Sequence, residues 1–219
     1  MKIKINIDIK INRVIKFLVL SDLLFLGGWS LIQPIFAVFV INKVEGATLI
    51  TVGLVAGIYW LVKSLFQIPV ANFLDRTEGE KDDFYALMLA LVLAAVASFS
   101  FAFISKIWQL FLIQFIYAVS MGLYVPSWSG IFSRHLDEKR FSFDWSLDST
   151  FIGLVSFFSA VLGGVLASWF GFSFIFFLVG IFSLAGAFLL FMVPNLIIPG
   201  AKSGDEALSR DHSPADINR

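Results

Sequence analysis

Six long hydrophobic runs are the feature that most limits which fold this chain can adopt. Each has about 20 or more residues, the length that a helix needs to cross roughly 30 Å of hydrocarbon. They lie at 14–41, 48–74, 84–105, 107–133, 146–170 and 173–194, and are called spans one to six below. The runs are continuous and rich in Leu, Phe and Ala instead of alternating, which argues against a β-barrel. The sequence therefore predicts an all-α polytopic membrane protein with six transmembrane helices.

The composition points to the same class of protein and excludes several kinds of site. The chain is 58% hydrophobic, and its mean hydropathy is +0.88, outside the range of soluble globular proteins. It has no Cys, and His135 and His212 are its only imidazoles, so we expect no disulfide, no metal site and no cofactor. Nothing indicates nucleic-acid binding. The stretch Ser127-Trp128-Ser129-Gly130 is similar to an intramembrane protease motif, but it lacks the leading Gly and a base within the membrane, so we predict no enzyme.

Basic residues are unevenly shared between the two sides of the predicted bundle. Thirteen Lys and Arg residues fall on the side that carries both termini, and two, Lys43 and Lys106, fall opposite. By the positive-inside rule both termini are cytoplasmic, and we place the protein in a cell inner or plasma membrane. Residues 1–13 are predicted to be a basic cytoplasmic segment, and residues 195–219 a polar, disordered cytoplasmic tail that follows the bundle at 14–194.

Two features recur at nearly the same interval along the chain. Pro34 in span one precedes Asp75 by 41 residues, and Pro126 in span four precedes Ser168 by 42 residues. This spacing indicates a three-helix unit that is used twice. Because three is an odd number of spans, the second copy is inverted in the membrane, which predicts a 3+3 inverted repeat.

Polar residues inside the spans are concentrated on four of the six. Spans one, two, four and five carry them at helical spacing, whereas spans three and six carry little beyond Ser, so we expect the four to border a polar cavity and the two to face lipid. The candidates for contact with a substrate or coupling ion are Asp22, Gln33, Lys63, Gln67, Gln114, Tyr117, Tyr124 and Trp128. For Asp22 and Lys63 the alternatives are a structural ion pair or a snorkelling Lys; for the others, interhelical hydrogen bonds or packing.

Glycines and short polar residues in the spans suggest structural roles. We expect helices to approach closely at Gly53, Gly57, Gly163 and Gly164. Asp144, Ser146 and Asp148 lie at the start of span five, where we expect them to cap its helix.

The turn after span two carries a recognisable motif, which reads Ala71-x-x-x-Asp75-Arg76-x-x-Gly79-Glu80-Lys81. With it, the chain resembles the N-terminal six-helix half of the major facilitator superfamily across residues 14–194. That family has Gly-x-x-x-Asp-Arg-x-Gly followed by two basic residues. Here Ala71 replaces the first Gly, one extra residue precedes Gly79, and Glu80 replaces a basic residue. The end of span five repeats the pattern as Gly164-x-Leu166-Ala167-x-x-Phe170-Gly171, without the Asp-Arg pair.

The resemblance implies a role for the turn. In such proteins the loop carboxylate caps a helix of the opposite half and holds one access state closed, which assigns Asp75, Arg76, Gly79 and Lys81 to a cytoplasmic latch. A carboxylate is favourable at a helix N-terminus by about 0.3–1 kcal/mol, and by more when it is partly buried. The alternative is a solvated turn in which Gly79 supplies backbone freedom and Arg76 anchors the topology.

The resemblance also implies transport of an unknown small solute by alternating access. That mechanism rocks one bundle against another, so this chain would need a second six-helix bundle in the lipid bilayer. The second bundle is a second copy, a separately encoded half, or the remainder of a twelve-helix protein of which this sequence is a truncated part. The alternative function is a non-transporting membrane scaffold or sensor.

Overall fold

The computed structural model describes residues 13–76, 79–136 and 141–192, so the predicted N-terminal segment and tail lie almost wholly outside the described residues. The described residues are almost entirely helical and include six helices long and apolar enough to cross a membrane, which confirms the predicted class. The helices are α1 (Arg13–Ser30), α2 (Phe36–Lys43), α3 (Leu49–Leu74), α4 (Lys81–Phe101), α5 (Ile107–Arg134), α6 (Phe141–Phe170) and α7 (Phe172–Phe191).

Span one is interrupted near its centre. Helix α1 ends at Ser30, a 3-10 turn follows at Gln33–Ile35, and α2 completes the crossing. Pro34 has no N–H to donate, and the Ile35 N–H instead bonds the Ile32 carbonyl oxygen at 3.0 Å. Pro126 lies inside α5 without ending it.

The start of α3 is set by local hydrogen bonds, and α6 starts earlier than predicted. Thr48 caps α3, because its hydroxyl accepts from the Thr51 N–H at 3.5 Å, and the Thr51 hydroxyl accepts in return from the Thr48 N–H at 3.1 Å. Helix α6 begins at Phe141, five residues before the predicted start of span five at 146. Asp144, Ser146 and Asp148 therefore lie inside the helix, and the expectation that they cap it is wrong.

The core of the bundle is formed by α1, α4, α5 and α7. In the most apolar stretches of α4 and α7, 50% and 44% of the residues are buried inside the chain, against 17% for α3 and 6% for α6. The largest fully buried side chains include Phe25, Phe101, Phe132 and Phe176. Spans three and six thus hold the back of the bundle together, while the helices of spans two and five expose most of their surface.

Serine hydroxyls and glycines set close contacts between the helices. The Ser21 hydroxyl donates to the Gly186 carbonyl oxygen at 3.0 Å, and the Ser98 hydroxyl to that of Phe176 at 2.7 Å, so both α1 and α4 are pinned to α7. A Cβ atom added at Gly163 would lie 1.8 Å from the carbonyl oxygen of Leu31, so α6 passes directly against the interruption in span one.

The other three predicted packing glycines differ from Gly163. Gly53, Gly57 and Gly164 have no described atom within 4 Å of an added Cβ, so they make no close helix contact within the described bundle. Gly122 does make one, because an added Cβ would lie 2.8 Å from the Cβ of Phe66 on α3. Gly122 is not part of a Gly-x-x-x-Gly pattern, but it follows Ala118 at the more general spacing of two small residues four positions apart.

The two ends of the bundle differ in charge. The charged end holds the start of α1, the end of α3 and start of α4, and the end of α5 and start of α6. The opposite end holds the short connections between α2 and α3, α4 and α5, and α6 and α7. At this opposite end the Glu45 N–H bonds the Ser105 carbonyl oxygen at 2.8 Å, which joins two of the connections.

Candidate functional site

A cavity of about 540 Å³ lies between spans one, two, four and five, and no residue of α4 or α7 lines it. Its volume is within the range of small-molecule sites, about 300–1,000 Å³. The lining residues on spans one, two and four lie nearer the opposite end of the bundle than the charged end. They are Leu26, Trp29, Ser30, Ile32, Gln33, Phe36, Ala37, Val52, Val55, Ala56, Tyr59, Trp60, Gln114, Tyr117, Met121, Ile152 and Ser156.

Three of the predicted candidates line this cavity, namely Gln33, Gln114 and Tyr117. Gln33 is exposed on the 3-10 turn that follows α1, and Gln114 is buried on α5. Their amide groups can each donate and accept hydrogen bonds. Between them, the Ser30 and Ser156 hydroxyls lie 2.9 Å apart and join span one to span five along the cavity wall.

Stacked aromatic rings form a second part of the wall. The rings of Trp29 and Tyr117 have centroids 3.8 Å apart with an interplanar angle of 25°. On the other side, the Tyr59 ring lies 5.5 Å from that of Tyr117 at an angle of 17°. The stack joins spans one, four and two, so these rings fix the relative positions of three helices around the cavity.

Asp22 and Tyr124 meet deeper in the bundle, toward the charged end. The Tyr124 hydroxyl donates a hydrogen bond to Oδ1 of Asp22, and both side chains are buried. Neither residue lines the cavity. Asp22 precedes Trp29 by seven residues, which places it about 10 Å further along the helix axis.

Asp148 is a second buried carboxyl group that the sequence analysis assigned only to capping. It lies on α6, is 5% exposed, and is close enough to Asp22 to interact with it electrostatically. Its Oδ1 atom has no hydrogen-bond partner among the described residues. Asp148 lies in the predicted span five together with Ser156 and Gly163, and this helical spacing was the signal for its position.

The remaining candidates within the spans lie outside the cavity wall. Lys63 does not pair with Asp22; its Nζ atom lies 5.0 Å from the Trp60 ring centroid and 5.9 Å from that of Tyr59. Gln67 is half-buried on α3 near its contact with Gly122. Trp128 is buried and stacks on Phe132 with centroids 4.6 Å apart, so its ring belongs to the packing at the charged end.

The predicted latch residues lie around the turn between α3 and α4. Asp75 follows the last residue of α3, and its N–H bonds the Ala71 carbonyl oxygen at 2.9 Å. Both Asp75 and Arg76 are exposed at the charged end. Gly79 has φ of +101°, a conformation that Gly adopts without strain, and Lys81 is the first residue of α4.

A cluster beside this turn escaped the sequence analysis. Arg134 at the end of α5 bonds the buried carboxylate of Asp83 near the start of α4, and its Nε lies 3.8 Å from Oε1 of Glu80. The Nδ1 atom of His135 lies 3.4 Å from the same Glu80 oxygen. The paired residues are 51 positions or more apart in the sequence, so no local spacing predicts that they pair.

Comparison with known proteins supports the fold and the resemblance. A family profile described as Major Facilitator Superfamily matches residues 18–214. The solved structure described as the POT family transporter PepTSo, an in meso crystal structure, superposes with a TM-score of 0.70 at 14% identity. The superposition covers 84% of this chain and 37% of that transporter, as fits a chain of about half the length. No significant match to a curated protein was found.

Proposed function

The chain belongs to the major facilitator superfamily, and from this premise we propose that it moves a small solute across the membrane by alternating access, as half of a transporter. A second six-helix bundle completes the solute pathway, and it is a second copy, a separately encoded half or the remainder of a longer chain. The bilayer, the solute and this second bundle are its partners. Both termini lie in the cytoplasm, and the membrane is the inner or plasma membrane of the cell.

The cavity between spans one, two, four and five carries this proposal. A solute site in an alternating-access protein lies between helices near the middle of the membrane, and it needs polar groups that would otherwise be costly in lipid. Gln33 and Gln114 meet this requirement from different helices of the same cavity. A purely structural bundle has no comparable need for a cavity of about 540 Å³ with two amide side chains in its wall.

The need for a second bundle is inferred from two surfaces at the edge of this one. Helices α3 and α6 flank the cavity and expose large apolar side chains along most of their length, including Leu49, Ile68, Phe157 and Trp169. At the charged end Asp75 is exposed, and in this proposal its carboxylate caps a helix of the second bundle. A second bundle seated across the cavity covers both surfaces and provides the opposing wall.

The native absence of Cys makes the access test direct. Single substitutions Gln33→Cys and Gln114→Cys are placed in the chain in sealed vesicles and treated with a membrane-impermeant thiol reagent from either side. Alternating access predicts that both positions react from both sides. Phe188→Cys, on an exposed face of α7 away from the cavity, is the control and should stay unreactive in lipid. Protection of both cavity positions from both sides would contradict transport and favour a scaffold.

The oligomeric mass of the purified chain in nanodiscs tests the second bundle separately. Light scattering corrected for lipid and scaffold mass distinguishes one copy from two. A dimer would identify the missing bundle as a second copy of this chain. A folded monomer would direct the search to a separately encoded half or to the remainder of a longer chain, and a monomer that carried out solute uptake alone would contradict the half-transporter proposal.

A further inference from the structure

The cavity wall carries no formally charged side chain among its described residues. Five of its seventeen residues are aromatic, four are neutral and polar, and the others are aliphatic or Met. The neutral polar residues are Ser30, Gln33, Gln114 and Ser156. Such a wall offers apolar contact together with hydrogen-bond donors and acceptors, and it offers a charged ligand no counter-charge.

Three ionisable side chains, Asp22, Lys63 and Asp148, lie within about one helical turn of a lining residue, and none of them lines the wall. The carboxyl group of Asp22 accepts the hydrogen bond of Tyr124, and neither residue lines the wall. The ammonium of Lys63 lies over the rings of Trp60 and Tyr59. Both rings line the cavity and Lys63 does not, so its positive charge lies close to the wall without being part of it, and it disfavours a second cation nearby.

We propose that this cavity selects an uncharged solute with an apolar face and hydrogen-bonding groups. The apolar face packs against the rings of Trp29, Tyr59 and Tyr117, and the polar groups bond the amides of Gln33 and Gln114. This inference rests on the proposed function, because it takes the cavity to be the place that receives the solute. Sugar-like polyols and neutral aromatic amides both have this chemistry.

The expected selectivity follows from desolvation. An ion that leaves water for this wall, which offers it no counter-charge, loses several kcal/mol of effective hydration energy. Each 1.4 kcal/mol corresponds to about a tenfold change in affinity. A charged ligand of the same shape should therefore bind at least about tenfold more weakly than its neutral counterpart.

The test uses ligands that share one ring and differ in charge. The full chain with Ala56→Cys, a cavity-lining position, is labelled in nanodiscs with a neutral thiol reagent. Benzamide, benzylammonium and benzoate compete as neutral, cationic and anionic probes, and a methyl pyranoside competes as the polyol probe. We expect one or both neutral probes to slow labelling at concentrations at least about tenfold below the charged ones. Their ranking distinguishes polyol from aromatic amide.

A matched pair of variants tests whether protection from labelling depends on a side chain of the cavity wall. Gln114→Leu keeps the approximate size of the side chain but removes the amide, and it should weaken protection by the neutral probe. Phe115→Leu changes the adjacent exposed residue and should leave protection unchanged. Protection by an ionic probe at lower concentration than by either neutral probe would overturn the proposal, as would failure of both neutral probes at any soluble concentration.

This experiment separates the proposal from the transport function. Labelling is measured at equilibrium and requires no solute movement. Protection by a neutral probe without any uptake into vesicles that also hold the second bundle would contradict transport and leave the charge selectivity intact. Uptake of an ion that neutral probes do not inhibit would support transport and contradict the selectivity.

Discussion

Tyr124 on α5 donates a hydrogen bond to the carboxyl group of Asp22 on α1, and this bond joins the two helices in the interior of the bundle. Asp22 is 2% exposed, and the Tyr124 ring also contacts Phe25 with centroids 4.6 Å apart. A polar group buried in this way is costly unless it has a hydrogen-bond partner. Tyr124 is thus a structural partner of Asp22 in the interior of the bundle.

Tyr124→Phe removes this donor and keeps the ring. We expect the variant to lose about 1–3 kcal/mol of unfolding free energy, because a buried carboxyl oxygen is left without its bond. Denaturant unfolding of the purified protein in detergent measures the difference. Tyr85→Phe is the matched control, since Tyr85 is 66% exposed and its hydroxyl should not be needed for stability. Equal stability of the Tyr124 and Tyr85 variants would contradict the structural role.

Arg134→Gln should destabilise the charged end of the bundle. The substitution leaves the carboxylate of Asp83, whose side chain is 2% exposed, without its ion-pair partner. A fully buried broken pair costs about 3–5 kcal/mol, but Arg134 is 39% exposed and solvent screens part of the effect, so we expect about 1–3 kcal/mol.

A double-mutant cycle with Asp83→Asn measures the coupling between the two residues directly. Arg76→Gln serves as the control, because Arg76 has the same charge at the same end and is exposed. If Arg76→Gln cost as much as Arg134→Gln, the effect would reflect net charge and not the pairing with Asp83.

The length of the apolar runs made the six helices predictable, and helical spacing brought Gln33, Gln114 and Tyr117 to one cavity. The interruption of span one was harder to predict from the sequence, because nothing in their local sequence distinguishes Pro34 from Pro126. Helix α1 ends before Pro34, whereas α5 continues through Pro126. Neighbouring helices decide whether a proline interrupts a transmembrane helix, and those contacts are tertiary.

Predicting the charged cluster and the second buried carboxyl group would have required the exact start of α6 and the alignment of α4 with α5. Asp148 looked like a cap only because the predicted helix began too late, and the earlier start at Phe141 places it on the buried face of α6. Arg134 can bond Asp83 only because α4 and α5 pack side by side with these two residues at the same level. The sequence supplies the charges, but the alignment of two helices determines which of them meet.

Two adjacent glycines on α6 provide an internally controlled test of helix packing. Gly163→Ala would place a methyl group 1.8 Å from the Leu31 carbonyl oxygen, which is backbone and cannot rotate away. We expect a loss of about 1–3 kcal/mol, as for other overpacked sites. Gly164→Ala meets open space and should be neutral or stabilising by up to about 1 kcal/mol. Comparable losses in unfolding free energy for both variants would contradict the close approach of α6 to Leu31.

Asp75→Asn tests the proposed latch. The substitution keeps the size of the side chain but removes the charge that would cap a helix of the second bundle. A charge at a helix N-terminus contributes about 0.3–1 kcal/mol, and up to about 2 kcal/mol when partly buried, so we expect a measurable shift toward dissociated bundles or toward the open state at the charged end.

Light scattering reports the dissociation, and the reactivity of Gln114→Cys from the charged end reports the opening. Asp82→Asn is the control, because it removes the same charge seven residues away on α4. If Asp75 is a latch, only its variant changes the two readouts, since the effect depends on the position of the carboxylate and not on net charge. Unchanged assembly mass and unchanged labelling in Asp75→Asn would instead identify the turn as a solvated connection whose basic residue fixes the topology.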